Sequence, residues 1–159
     1  MGSLRSISVL VLFVLIVLGV AAIGSVATSR SVSTWYTELR KPSFNPPSWL
    51  FGPVWTVLYL TMAVAAWLVW RRHGLAGAAL PLAIFAAQLI LNAGWSILFF
   101  GLRHPGLALA DIVALWLAIL ATIIAFWRVS PLAGALLLPY LAWVAFACIL
   151  NWSIWSLNR

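Results

Sequence analysis

The stretch Ile7-Ser8-Val9-Leu10-Val11-Leu12-Phe13-Val14-Leu15-Ile16-Val17-Leu18-Gly19-Val20-Ala21-Ala22-Ile23-Gly24-Ser25-Val26-Ala27 decides the class of fold. It runs 21 residues without a charge, and a helix that crosses a hydrocarbon layer needs about 20. The rest of the chain repeats the pattern. Of 159 residues 65% are hydrophobic and 7% charged, with a mean hydropathy of +1.13. A water-facing globular surface cannot be assembled from such a composition.

Four further apolar segments follow. They run from about Trp49 to Trp70, ending at Arg71-Arg72-His73-Gly74; from about Ala79 to Phe100; from Gly106 to Trp127, closed by Arg128; and from Pro131 to about Trp155. Pro81 and Pro131 fall in first helical turns, where proline is tolerated. The expected fold is therefore an all-α integral membrane protein, one five-helix transmembrane domain over residues 1–159. A cleaved leader is the rival reading of the first segment, because Ser25-Val26-Ala27 resembles a cleavage site. Its apolar run exceeds the usual 7 to 15 or so residues, which favours a retained helix. Met1-Gly2 with Ser6 fits an acylation pattern, but the chain enters the bilayer too soon after it.

Five crossings place the two ends of the chain on opposite sides. Arg5, Arg71, Arg72 and Arg128 share the N-terminal side; Arg30, Arg40, Lys41, Arg103 and Arg159 share the other. The positive-inside rule then leans toward a cytoplasmic C-terminus. The net charge of +7 is spread over short hydrophilic breaks, with no basic stripe of the kind that binds nucleic acid. Cys148 is the only cysteine, so neither an intrachain disulfide nor a cysteine metal cluster can form. His73 and His104 fall in connections on opposite sides and cannot share a metal.

Three connections have about three to seven residues, whereas the first, residues 28–47, has about 20. Trp35, Tyr36 and Phe44 supply bulk there, and Pro42, Pro46 and Pro47 supply stiffness, so this loop reads as an ordered lid. Within the bilayer, Gln88, Asn92, Trp95 and Phe99 are spaced 4, 3 and 4 and share one face of the third helix. Two amides in hydrocarbon require partners. They serve either as interhelical glue or as ligand contacts, and both uses can hold at different positions. On the fifth helix Tyr140, Trp143, Ala147 and Asn151 make a similar face, with Pro139 breaking the backbone ladder near Ala135. On the second, Trp55, Tyr59, Ala63 and Ala66 pass from aromatic to small, a taper that suits a flat ligand at its wide end.

Of eleven tryptophans, Trp49, Trp70, Trp127 and Trp155 lie near segment ends, as an interfacial belt would place them. Trp55, Trp95, Trp116 and Trp143 do not, which leaves core packing or ligand stacking. Asp111 is the one carboxyl inside a predicted span. Favouring the helix N-terminus and acting as a buried functional acid are both open to it. Small-residue stripes at Ala110, Ala114, Ala118 and Thr122, and at Ala83 and Ala87, suit close helix packing or a homodimer contact.

At Trp35-Tyr36, Lys41-Pro42, Asn45-Pro46-Pro47, Trp49, Pro53-Val54-Trp55-Thr56-Val57-Leu58-Tyr59, Pro139-Tyr140-Leu141-Ala142-Trp143 and Leu150-Asn151-Trp152 the chain resembles the translocator protein family, which includes the peripheral benzodiazepine receptor and the tryptophan-rich sensory proteins. The match spans nearly the whole chain, in order. The short tail resembles bacterial members, so a bacterial membrane is implied. The resemblance implies a bundle that often dimerises and binds tetrapyrroles, isoquinoline-carboxamide drugs and sterols beneath the first loop. Carried over by position, Trp55 and Trp143 are the tryptophans implicated in porphyrin binding and light-dependent porphyrin breakdown, and Tyr36, Asn92 and Tyr140 align with other pocket residues. The chain departs from the family at Phe44, where a tryptophan is common. It also departs at the C-terminal sterol motif, where Trp152 replaces the tyrosine and Arg159 lies too far on.

The leading expectation is a membrane-embedded receptor or sensor for porphyrin or haem, with ligand transport as a possible consequence. Protoporphyrin IX or haem is then a ligand, with no obligatory cofactor. The expected ligand-binding set is Tyr36, Trp55, Tyr59, Gln88, Asn92, Trp95, Tyr140, Trp143 and Ala147; Arg40, Lys41 and Arg103 are expected at the mouth, where they would meet propionates. One alternative is light-dependent porphyrin degradation, with Trp55 and Trp143 as redox participants. The other is a transporter or channel, against which stand the scarcity of intramembrane charge and the absence of broken-helix pairs.

Overall fold

The computed structural model describes residues 3–159; Met1 and Gly2, and with them the acylation pattern, lie outside the described residues. Every described element is helical, as hydrocarbon demands of a chain whose backbone groups have no water to bond. The elements are α1 (Ser3–Ser29), α2 (Trp35–Glu38), α3 (Ser48–Gly77), α4 (Ala79–Ser96, continued by a π turn over Ile97–Gly101), α5 (Pro105–Val129), α6 (Pro131–Ala135) and α7 (Leu138–Leu157). Taken as continuous rods, α1, α3, α4 with its π turn, α5 and the α6–α7 pair are five helices long and apolar enough to span a membrane.

Proline and glycine set the boundaries. Pro105 and Pro131 open α5 and α6, where the missing N–H costs no bond. Pro139, second in α7, interrupts the last span at Leu136-Leu137, as its position in the sequence suggests. One boundary differs from expectation, and one helix end takes a form the sequence did not suggest. The second span does not stop at Arg71-Arg72-His73; it stays helical to Gly77, bent at Gly74, whose φ of +64° a side chain would disfavour. The third span ends in a π turn, closed by the Leu102 N–H donating to the Ile97 carbonyl at 2.8 Å. The wider turn keeps Phe99 and Phe100 both against Trp95, at 5.3 and 6.0 Å between ring centroids. An unbroken α-helix would swing the second of them away.

In the bundle α1 packs on α3 and α4, α4 on α5, α5 on α7, and α3 closes the ring against α6. The main core fills the half of the bundle away from the first loop. There Met62, Ala63 and Ala66 of α3 meet Phe85 of α4 and Ile119 and Phe126 of α5. A smaller cluster of Tyr36, Phe99, Ala108, Leu150 and Ile154 lies under the loop. Helix α1 is peripheral. Val17 is its one buried residue, and the Trp67 indole N–H donates to its Ser6 carbonyl at 2.9 Å. Trp70, expected in an interfacial belt, is buried in the core, whereas Trp49 and Trp127 are exposed.

Candidate functional site

Between the two cores the helices enclose a cavity of about 500 Å³, within the range of small-molecule sites. Its walls are aromatic because α3, α4 and α7 each turn a four-residue-spaced face inward. Trp55 and Tyr59 come from α3, Trp95 and Phe99 from α4 and its π turn, and Trp143 and Ala147 from α7. Across the gap α3 and α7 meet ring to ring, Phe51 with Trp143 at 6.0 Å and Trp55 with Tyr140 at 6.1 Å. The roof is Tyr36 of the first loop, held by Phe99 and Phe100 at 6.3 and 5.5 Å. Asn151 fixes Trp95 by accepting its indole N–H at 2.9 Å while donating to the Pro105 carbonyl at 2.9 Å.

The polar groups form a chain rather than a scatter. The Tyr59 hydroxyl donates to Asn92 Oδ1 (2.6 Å), Asn92 Nδ2 donates to the Tyr140 hydroxyl (2.8 Å), Tyr140 donates to Gln88 Oε1 (2.8 Å), and Gln88 Nε2 donates to Met62 Sδ (3.8 Å). Tyr59 and Asn92 reach the cavity; Gln88 and Tyr140, expected among the contacts, lie behind its floor, each 1% exposed. They face inward as the spacing requires, but their bonds turn them into the support of the wall.

The first loop is ordered by contacts at both ends. Ser31 Oγ donates to the Phe100 carbonyl at 2.7 Å, and the Asn158 side-chain amide pairs with Arg40 in both directions, accepting its N–H at 3.0 Å and donating to its carbonyl at 2.9 Å. Trp35 meets Phe99 edge-on at 5.7 Å and Phe44 meets Phe146 at 6.3 Å. Neither lines the cavity, nor do Pro42, Pro46 and Pro47. The Tyr36 hydroxyl donates to Asn45 at 3.1 Å, and burial pushes its pKa up, the Asn45 bond opposing.

The three cations expected at the mouth are absent from the cavity wall. Lys41 Nζ donates to the Leu39 carbonyl at 3.1 Å and lies 4.7 Å from the Tyr36 ring centroid, while Arg103 Nε reaches Ser31 Oγ at 3.4 Å. Arg40 is exposed and enters the lid through its backbone. These residues brace the lid from outside, because carbonyls released by the irregular loop offer nearer partners than the cavity does. Among the described residues the cavity wall carries no charge.

Asp111 lies off the cavity against α4, where a Cβ on Gly94 would come within 3.1 Å of its Oδ1; its Oδ2 and the Trp116 Nε1 are buried without partners. His73, expected in a connection, lies inside α3 just before the Gly74 bend, because the helix continues to Gly77, and His104 stands at the N-cap position of α5 on the lid side. Sequence reasoning missed the lid contacts of Ser31 and Asn158, since a serine and a terminal asparagine carry no periodic signal. It also missed the small and hydroxyl residues that α1 brings to the cavity, among them Ala21, Ser25 and Thr28.

The whole arrangement has relatives. The model of the TspO/MBR family matches residues 12–156. The tryptophan-rich protein TspO of Chlorobaculum tepidum is 45% identical over 97% of this chain and 98% of its own. The human translocator protein is 46% identical over 79% of this chain and 75% of its own. The tryptophan-rich sensory protein of Cereibacter sphaeroides is 40% identical over 87% of each chain. With the match running through all five spans and the lid, this chain belongs to the TspO/MBR family.

Proposed function

We propose that the protein is a membrane-embedded receptor that binds tetrapyrroles such as protoporphyrin IX or haem in the cavity beneath the first loop. The observation that carries this reading is the uncharged, ring-lined cavity with Trp55 and Trp143 in its walls. A flat apolar macrocycle gains from stacking there, about 0.5–1.5 kcal/mol per aromatic pair beyond area burial. The names of relatives as sensory protein and translocator protein fit a protein that detects or passes on such a ligand. The propionates would lie outside the uncharged cavity, toward the lid and its bracing cations.

A second reading, light-dependent porphyrin degradation, is favoured by one contact. Trp55 lies 5.6 Å from Tyr59, which begins the hydrogen-bond chain. An indole oxidised by a photoexcited porphyrin would have a phenol beside it. A homodimer is proposed through the outward small residues Ala83 and Ala87 of α4, both exposed in this single chain.

The test is titration of the purified protein with protoporphyrin IX, in the dark and under illumination. Trp55→Phe and Trp143→Phe should retain most dark affinity, because phenylalanine keeps a stacking face. If the tryptophans do redox chemistry, the same variants lose the light-driven loss of porphyrin. Replacement of His73 and His104 by alanine should leave binding intact; loss of binding there, with Trp143→Phe unaffected, would refute stacking. Equal bleaching in wild type, variants and empty micelles would remove the enzymatic reading.

A further inference from the structure

The chain from Tyr59 to Met62 has a direction, and the direction reaches the cavity. We propose that Met62 and Gln88 fix it, so that Tyr59 meets the cavity as a hydrogen-bond acceptor and selects ligands bearing an N–H or O–H group. The inference rests on the cavity being a ligand site.

The reasoning starts at the buried end. Met62 is wholly buried and its thioether can only accept. The Gln88 amide has two ends, one toward Met62 Sδ and one toward the Tyr140 hydroxyl. Turned over, its oxygen would face the sulfur, leaving a buried acceptor without a donor. The amide therefore points Nε2 at Met62 and Oε1 at Tyr140. Tyr140 must then give its one proton to Gln88, which leaves its oxygen to accept from Asn92 Nδ2. Asn92 consequently turns Oδ1 toward Tyr59, and Tyr59 donates to it. A phenol has a single proton. With that proton committed, the Tyr59 oxygen has only lone pairs left for anything in the cavity. Asn92 keeps a second amide proton in either direction, so the discrimination falls on Tyr59.

The opposite direction is geometrically available to the same side chains. If Gln88 could not accept, Tyr140 would donate to an overturned Asn92, Asn92 would donate to Tyr59, and the Tyr59 proton would be free to enter the cavity. One buried residue thus decides whether the floor accepts or donates, although it touches no ligand itself. Gln88 and Met62 are positioning residues in this sense.

Indole and benzofuran test it, being nearly the same shape but opposite in character: the first donates through N–H, the second offers an ether oxygen. Isothermal titration of the full chain in micelles should show indole favoured about tenfold, the scale of one buried hydrogen bond. In Gln88→Leu the preference should fall to about even or invert, and in Met62→Leu, a swap of similar volume, it should fall part of the way. An unchanged indole preference in Gln88→Leu overturns the proposal, as does a wild type that prefers benzofuran or binds neither probe. Should Gln88→Leu fail to fold, Met62→Leu decides by the same criterion. Failure of protoporphyrin IX to bind while the indole preference persists overturns the tetrapyrrole reading alone.

Discussion

Replacing Tyr140 with phenylalanine removes one oxygen from the middle of the hydrogen-bond chain and changes little else. The ring keeps its edge contact with Trp55 at 6.1 Å. Two bonds are lost, each 2.8 Å long, and both former partners, Asn92 Nδ2 and Gln88 Oε1, belong to buried residues. In a water-soluble core each orphaned group would cost about 1–3 kcal/mol. In a bilayer the unfolded reference also lacks water, and interhelical hydrogen bonds average about 0.6 kcal/mol with a maximum near 1.7. The second scale governs here, because Gln88 and Asn92 lie in a membrane-spanning helix, so Tyr140→Phe should destabilise by about 1–3 kcal/mol. Tyr59→Phe breaks a single bond at the cavity edge and should cost less than half as much. Reversible unfolding of both variants in mixed micelles with increasing SDS measures the difference. A Tyr140→Phe loss no larger than that of Tyr59→Phe would refute the view that the chain's interior members support the wall.

Two further outcomes follow from local geometry. Gly134→Ala would place a Cβ 2.6 Å from Trp127 Cε3 and 3.2 Å from the Ile123 carbonyl, an overpacking worth about 1–3 kcal/mol, whereas Gly19→Ala has open space and should stay within about 0.5 kcal/mol in the same unfolding assay. Burial raises the Tyr36 pKa above its ordinary 10.0, so its contribution to lid docking is complete below pH 10 and is lost as pH climbs through the higher folded value. Protease cleavage between residues 30 and 47 should therefore stay level up to about pH 10 and accelerate only above it, and Tyr36→Phe should flatten that rise.

The five spans were legible because hydrocarbon leaves a chain few options: a long uncharged run must be a helix. The inward faces were legible for the same reason, since polar and aromatic residues four apart on α4 and α7 have nowhere else to go. Periodicity stops at the face, however. It cannot say which inward residue touches a cavity and which is used up by a neighbour. Tyr140 and Gln88 share a direction with Trp143 and Asn92 yet end behind the floor, because complementary donors and acceptors on three helices found one another. Lys41 and Arg103 illustrate the other limit. Their side of the membrane could be counted from the sequence, but their partners are a carbonyl at Leu39 and a hydroxyl at Ser31, produced by loop geometry that no composition encodes. Trp70 sits at the end of an apolar run and still belongs to the core, because α3 continues beyond it to Gly77.

The reciprocal pair between Asn158 and Arg40 joins the roof of the cavity to the last turn of α7, which Asn158 also grips by donating to the Ile154 carbonyl at 2.7 Å. Helix ends are where a fold opens first. Unwinding that single turn releases the loop at Arg40, so end-fraying of α7 loosens one of the lid's two attachments while Ser31 and Tyr36 keep the other. A fluorescent tag or affinity handle fused after Arg159 would sit one residue from the hinge of that event. Ligand exchange measured on such a fusion would report the handle as well as the protein.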